Sequence, residues 1–96
     1  MANFKDVIES CENVLVDFHA KWCGPCQTLA PILEEVKKDV GDKLRIVKID
    51  IDKNQQLAAQ MRVRSVPSLF FYKNGQFIKS TSGVLAKHEI KNILGL

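Results

Sequence analysis

The sequence predicts a single α/β domain built on a mixed four-stranded sheet, with the element order α-β-α-β-α-β-β-α. The chain has 96 residues, which suits one domain (1–96), and no repeat or linker divides it. Two strand patterns flank a long helical pattern, which predicts a parallel pair with a right-handed crossover. An Asn-Gly pair between the last two strand patterns predicts an antiparallel hairpin. These connections place helices on both faces of one sheet.

Each element has its own signal in the sequence. In chain order we predict helix 3–10, strand 14–19, helix 24–40, strand 44–50, helix 54–61, strand 67–72, strand 76–81 and helix 86–94. Asn3 is the expected N-cap of the first helix. The second helix begins near Gly24-Pro25, where the ring of proline presets the backbone for a first turn, and Gly41 ends it.

The second half of the chain is marked by turn and cap residues. Asn54 is expected to cap the short third helix. Asn74-Gly75 is the hairpin turn, and Gly83 should break or bulge the last strand. In the last helix the apolar residues at helical spacing should face the core, which are Ile90, Ile93 and Leu94.

Charge and composition exclude several classes of partner. The 14 basic and 11 acidic residues are interspersed, giving a net charge of +3, and no basic run exceeds Lys37-Lys38. We therefore expect no nucleic-acid partner. No segment approaches the roughly 20 apolar residues of a membrane span. The N-terminal stretch does not resemble a secretory signal, so we expect a cytoplasmic protein. We also expect a monomer that does not bind membranes.

The cysteines carry the chemistry. There are three, Cys11, Cys23 and Cys26, and a count this small and odd is no disulfide framework. Cys23 and Cys26 form a C-x-x-C pair where a strand ends and a helix begins. The start of a helix stabilises a thiolate, which is the reactive form of cysteine. We expect Cys23 to attack a substrate disulfide, and Cys26, deeper and less exposed, to resolve the mixed disulfide.

Half of a zinc site is the alternative interpretation of this pair. A structural zinc ion needs about four ligands, and only Cys11, His19 and His88 are left to complete the set. Cys11 and His19 fall at opposite ends of one predicted strand, roughly 20 Å apart by the rise per residue. There is no second C-x-x-C, so we expect no metal and no cofactor.

The segment VDFHAKWCGPC at 16–26 closely resembles the active-site segment of the thioredoxin family. The later motifs Val66-Pro67-Ser68 and Lys73-Asn74-Gly75, and then Gly83, match that family in order and spacing. The resemblance covers residues 4 to 94 and implies the thioredoxin fold. Many members carry an extra strand before the first helix, but only Met1–Asn3 precede it here, so we expect four strands.

The resemblance implies roles for two charged residues on neighbouring strands. Asp17 matches the family's buried aspartate, which helps deprotonate the second cysteine, and Lys48 matches the lysine beside it. A buried carboxylate is costly, and its pKa should rise. The alternative is a purely structural Asp–Lys pair.

The resemblance also implies a substrate groove. Pro67 matches a cis proline that packs against the dithiol and exposes the backbone of Val66 to an extended substrate segment. Trp22, Val66 and Gly83 would line this groove, together with Gly24 and Pro25 of the motif itself.

Three positions depart from the commonest family pattern. They are His19, where an aromatic residue is frequent, Gln27, where a basic residue often follows the motif, and Ser65, where glycine is common. These differences bear on the choice of partner more than on the reaction. Outside the motif, we expect Cys11 to be a half-buried apolar residue and His88 a surface residue.

Three functions remain open from the sequence. The first is a protein-disulfide reductase acting in cell redox homeostasis, recharged by an NADPH-dependent thioredoxin reductase. The second is a disulfide oxidase or isomerase of the same fold, although Gly-Pro between the cysteines resembles the reductants. The third is a peptide-binding module that uses the groove without redox turnover.

Overall fold

The computed structural model describes residues 3–96, and four α-helices and four β-strands lie within them. Their bounds are α1 Phe4–Ile8, β1 Asn13–His19, α2 Gly24–Val40, β2 Arg45–Asp50, α3 Gln55–Gln60, β3 Ser68–Lys73, β4 Gln76–Ser82 and α4 Lys87–Leu94. A short 3-10 turn, Gly41–Lys43, joins α2 to β2. The predicted element order is confirmed. Met1 and Ala2, which the sequence places ahead of the first helix, lie outside the described residues.

The sheet has the strand order β2-β1-β3-β4. Strands β1 and β2 are parallel, whereas β3 runs antiparallel to both β1 and β4. The predicted parallel pair, hairpin and mixed four-stranded sheet are therefore confirmed. Because of these directions, the loop after β1, the loop after β2 and the loop before β3 meet at one end of the sheet.

Two apolar layers hold the helices against the sheet. Leu15 and Leu69 pack with residues of α2 and α4 on one face. Val16 and Phe18 pack on the other face with residues of α1 and α3. Side chains alternate between faces along a strand, so Asp17 shares the face of Leu15 and lies under α2. Strand β1 is buried on both faces, which fixes the position of the loop that follows it.

Most helix ends follow the sequence signals, with one exception. The side chain of Asn3 accepts a hydrogen bond from the backbone N–H of Asp6, as an N-cap should. Gly41 ends α2 with a φ of 57°. Asn54 precedes α3, but the prediction that its side chain caps this helix is wrong, because its amide group donates to the carbonyl oxygen of Asp50. That bond ties the start of α3 to the end of β2.

The ends of β4 and α4 agree with the sequence as well. Gly83, with a φ of 86°, follows the last residue of β4. The irregularity in the pairing of β3 with β4 lies elsewhere, between Phe71 and Tyr72 of β3. Ile90 and Leu94 of α4 are fully buried, and Ile93 packs against the same layer. Among residues 3–96, none of the helices has the length and apolar character needed to cross a membrane.

Candidate active site

Helix α2 begins with the dithiol motif. Cys23 is its N-cap, and Gly24 and Pro25 are the first two helical residues. The backbone N–H of Cys26 donates to Cys23 Sγ at 3.1 Å, so a sulfur takes the place of a capping oxygen. The positive end of the helix dipole favours an anionic sulfur at this position. The structure therefore places Cys23 at the N-terminus of α2.

Cys23 and Cys26 are joined by a disulfide, with their Cα atoms 5.3 Å apart. Both residues are nearly buried, with Ala20 beside them and Val66 packed against them. The prediction that Cys26 is the less exposed of the two is wrong, because Cys23 is 4% exposed and Cys26 is 8% exposed. Val66 shields Cys23, whereas Cys26 borders a cleft on the α2 side of the sheet.

The loop before β3 covers the sulfur of Cys23. Cys23 Sγ lies 3.6 Å from the carbonyl oxygen of Val66, and the Val66–Pro67 peptide bond is cis. The backbone N–H of Gly83 donates to the carbonyl oxygen of Pro67 at 2.9 Å, which ties the end of β4 to this loop. Val66 therefore contacts the dithiol, and Pro67, the next residue in the chain, is hydrogen-bonded to Gly83.

Trp22 forms the exposed wall next to Cys23. The residue is 69% exposed, the largest exposed fraction among the large apolar residues of the described range, 3–96. Its indole N–H donates to a carboxylate oxygen of Asp52 at 2.9 Å. Asp52 is a site residue that the sequence gives no signal for, because it belongs to no motif and lies 30 positions away. Its position depends on the register of β1 against β2, which brings the loop after β2 to Trp22.

A cleft of about 310 Å³ opens on the α2 side of the dithiol, and we call it the acid cleft. Asp17, His19, Cys26, Gln27 and Lys48 are among its lining residues. Asp17 and Lys48 are direct neighbours in the register of β1 and β2. The predicted residues of the proton-transfer site are thus brought to one cavity, with His19 and Gln27 beside them.

The carboxyl group of Asp17 is in an unusual environment. The residue is 4% exposed, and one of its two oxygens has no hydrogen-bond partner among the described residues. Burial raises the pKa of this carboxyl above its ordinary value, while the charges of His19 and Lys48 pull the pKa down by less. A carboxyl with a raised pKa next to a thiol is suited to exchange protons with it.

The remaining cysteine and histidine lie away from the dithiol. Cys11 is half-buried just before β1, with its sulfur 3.7 Å from the carbonyl oxygen of Asp42, and so lies at the opposite end of the sheet. This agrees with its predicted role as a packing residue. His88 is exposed on α4. Within residues 3–96, no three His, Cys, Asp or Glu side chains are grouped as metal ligands would be.

Comparison with known proteins extends these findings. The thioredoxin family model matches residues 1–95. Thioredoxin of Buchnera aphidicola is 43% identical over 94% of this chain and 83% of its own length. Thioredoxin of Bacillus subtilis is 44% identical over 84% of this chain and 78% of its own length.

Solved structures give the same result. The oxidised mitochondrial thioredoxin 3 of Saccharomyces cerevisiae superposes with a TM-score of 0.86 at 31% identity, covering 97% of this chain and 87% of that one. The oxidised thioredoxin of Plasmodium falciparum superposes with a TM-score of 0.80 at 33% identity, covering 96% and 88%. The chain therefore belongs to the thioredoxin family, whose members are thiol–disulfide oxidoreductases, and it is a disulfide reductase of that type.

Proposed function

We propose that this reductase acts on protein disulfides in the cytoplasm, with Cys23 as the nucleophile and Cys26 as the resolving thiol. The observation that carries the proposal is the place of Cys23 Sγ. It accepts the backbone N–H of Cys26, in the first turn of α2, on one side and lies 3.6 Å from the Val66 carbonyl oxygen on the other. A substrate sulfur that reaches this point meets a sulfur whose anionic form is stabilised.

The first step is an exchange of one disulfide for another. The Cys23 thiolate attacks one sulfur of the substrate disulfide, forming a Cys23–substrate bond as the substrate S–S bond breaks. The second substrate sulfur leaves as a thiolate and takes up a proton. The substrate is then held to the protein by one mixed disulfide.

The second step needs a thiolate at Cys26, and we assign the proton transfer to Asp17. The ionised carboxyl accepts the thiol proton of Cys26 across the acid cleft, and Lys48 beside it supports the ionised form. Cys26 then attacks Cys23 Sγ, the mixed disulfide breaks, and the substrate sulfur that was bound to Cys23 leaves as a thiolate and takes up a proton. Two electrons have passed from the dithiol to the substrate, and the Cys23–Cys26 disulfide remains.

The groove beside the dithiol binds the substrate backbone in this proposal. Val66 precedes a cis proline and leads into β3, so an extended segment can pair with its backbone as an added strand. Trp22, Gly24, Pro25 and Gly83 form the rest of the contact surface. Gly83 leaves open space where a side chain would stand, which allows close approach of a substrate.

Recharging requires an external electron donor, because the protein itself uses no cofactor in this proposal. We assign this role to an NADPH-dependent thioredoxin reductase, which the relatives' membership in the thioredoxin family supports. The chain of residues 1–96 would work as one monomeric domain. The test is NADPH oxidation with a bacterial thioredoxin reductase and insulin as the disulfide substrate. Turnover only with a ferredoxin-linked reductase would contradict the assignment.

The direction of the reaction is tested by a redox titration. The protein is equilibrated in thiol–disulfide buffers, and the fluorescence of Trp22, the only tryptophan, is followed. A Cys11→Ser background removes the third thiol. The value characteristic of thioredoxins is about -270 mV, against about -180 mV for protein disulfide isomerase. A midpoint near the first value supports a reductant. A midpoint near the second would instead support an oxidase or isomerase.

A further inference from the structure

A second cleft, of about 290 Å³, lies on the face of the sheet opposite to the acid cleft. The loop between α3 and β3 forms one wall, and the β3–β4 hairpin forms the floor and the other wall. We call it the arginine cleft, and the residues used below are Arg62, Arg64, Ser65, Phe70, Ser80 and Ser82. Phe70 belongs to the apolar layer under α1 and α3, which fixes the face on which the cleft opens.

The arginine cleft is lined by cations and hydroxyl groups, with no carboxylate in its wall. Arg62 and Arg64 are both exposed. Within the described range, 3–96, the ion pairs join Asp39 to Lys87 and Lys91, so neither arginine has an acidic partner. Guanidinium groups and hydroxyls both donate hydrogen bonds, and a guanidinium pairs well with a carboxylate or phosphate. The cleft therefore offers donors and positive charge to an anion.

The backbone at Arg62 indicates that the fold does not require arginine there. Arg62 has a φ of 57° and follows the end of α3. Its N–H donates to the carbonyl oxygen of Ala59, and that of Val63 donates to Ala58, which closes the helix. Glycine adopts this left-handed conformation without steric cost. The backbone therefore does not require arginine at this point, and the exposed side chain of Arg62 is available to bind an anion.

The arginine cleft begins one residue before the substrate-binding loop. Ser65 directly precedes Val66, and the Ser65 and Ser82 hydroxyls lie 3.5 Å apart at the end of the cleft nearest the dithiol. An extended chain advances about 3.3 Å per residue. A substrate strand paired with the Val66 backbone therefore brings a side chain two or three residues from its cysteine to the arginines.

We propose that the arginine cleft binds an acidic side chain of the polypeptide substrate, so that the protein prefers disulfides flanked by aspartate or glutamate. This rests on the proposed function, because it needs the substrate strand at Val66. The carboxylate is held by Arg62 and Arg64 and by the hydroxyls of Ser80 and Ser82. In an antiparallel pairing the preferred acidic residue follows the attacked cysteine, because Arg64 precedes Val66 in the protein.

The test uses pairs of disulfide-linked peptides that differ only by Asp or Asn, placed two or three residues before or after the attacked cysteine. The ratio of kcat/KM for the Asp peptide over the Asn peptide is measured at an ionic strength of about 0.15 M, where charges beyond about 8 Å are screened. We expect a ratio of about fivefold on one side of the cysteine, since exposed ion pairs have modest effects.

Two variants separate the cleft from general charge. In the double variant Arg62→Gly with Arg64→Gln, the ratio should fall to about one, while the rate with the Asn peptide is kept. Lys79→Gln is the control, because Lys79 is exposed on β4 and pairs with Phe71, so it faces away from the cleft. It should leave the ratio unchanged. The melting temperature of Arg62→Gly should not fall, because glycine suits the backbone.

Other outcomes overturn the proposal in distinguishable ways. A ratio near one in the unmodified protein, or a ratio that survives in the double variant, rules out the cleft as a subsite for acidic side chains. An equal fall in Lys79→Gln would assign the preference to overall charge. If inorganic phosphate slows both peptides equally while the ratio stays at one, the cleft is a site for free phosphate only. If the unmodified protein reduces none of the peptides, the result contradicts the reductase function itself.

Discussion

The acid cleft and the arginine cleft lie on opposite faces of the same sheet. Cys26 of the dithiol lines the acid cleft, whereas the arginine cleft reaches only Ser65, the residue before Val66. The acid cleft holds the buried carboxyl of Asp17, whose pKa is raised by burial. The arginine cleft holds only exposed charges, Arg62 and Arg64. A buried carboxyl with a raised pKa is suited to exchange a proton, whereas an exposed guanidinium stays charged and can only attract an anion. The comparison indicates that the cleft with the buried charge takes part in the reaction, and that the cleft with exposed charges takes part in substrate recognition.

The largest effect should come from the cysteines themselves. Cys23→Ser removes the nucleophile and should abolish insulin reduction. Cys26→Ser should abolish turnover too, but it should leave a trapped mixed disulfide between Cys23 and the substrate, because resolution is blocked. Non-reducing electrophoresis followed by mass spectrometry measures the trapped species. Trapping through Cys26 in the Cys23→Ser variant would reverse the assigned roles.

The next effect tests the acid cleft as the reacting side. Asp17→Asn keeps the shape of the side chain but cannot accept a proton, so the resolving step should slow by about hundredfold near neutral pH. Single-turnover kinetics should show the mixed disulfide accumulating, with its formation rate little changed. Raising the pH should restore part of the rate as Cys26 ionises without help. Equal slowing of both steps would mean that Asp17 is not specific to Cys26.

The same variant should make the protein more stable. The pKa of Asp17 is raised in the folded state above its ordinary value of 3.8, so the folded protein holds this proton more tightly than the unfolded chain does. Stability is therefore lost as the pH rises from about 3.8 through the raised folded pKa. At pH 7, Asp17→Asn should gain about 1–3 kcal/mol in the free energy of unfolding, because it removes a buried charge.

Urea unfolding of the oxidised protein at pH 7 and at pH 3 measures this gain, which should disappear at the lower pH. Asp39→Asn is the matched control. The hydrogen bond from Lys87 and the nearby lysine charges lower the pKa of Asp39, so it contributes stability above its ordinary pKa and its removal should not stabilise. An equal gain in both variants would show that the effect is one of net charge.

The smallest effect should come from the hydrogen bond between Trp22 and Asp52, which lies outside both clefts. Asp52→Ala removes the acceptor of the Trp22 indole N–H. An exposed hydrogen bond contributes about 1 kcal/mol or less, so KM for a protein substrate should rise by no more than about fivefold while kcat is unchanged. Steady-state kinetics with insulin separate the two constants. A fall in kcat would contradict this prediction, because it would mean that Asp52 takes part in the reaction although it lies outside the acid cleft.

Much of the fold and dithiol site is predictable from the sequence, because local signals mark both. The cap at Asn3, the glycine at the end of α2 and the hairpin turn each act within a few residues. The cap at Asn54 fails because its amide group instead bonds to Asp50, a partner that also depends on how β2 ends. Local preference is reliable only where no competing partner is close.

The parts that could not be predicted depend on contacts between distant segments. The bond from Trp22 to Asp52 needs the register of two strands, and the arginine cleft needs the twist of a hairpin beneath a loop. The relative exposure of the two cysteines is a third case. Helical position alone makes Cys26 the deeper residue, but the packing of Val66 buries Cys23 more.

The double-sided burial of β1 has a consequence for hydrogen exchange. This strand is paired on both edges and covered on both faces, so its amides should exchange last, through global unfolding alone. Helix α3, six residues with one buried side chain, should open far earlier. The dithiol is thus attached to the most protected segment, while the loop carrying Arg62 and Arg64 follows one of the least protected. Repeated oxidation and reduction of the dithiol can therefore proceed on a rigid support.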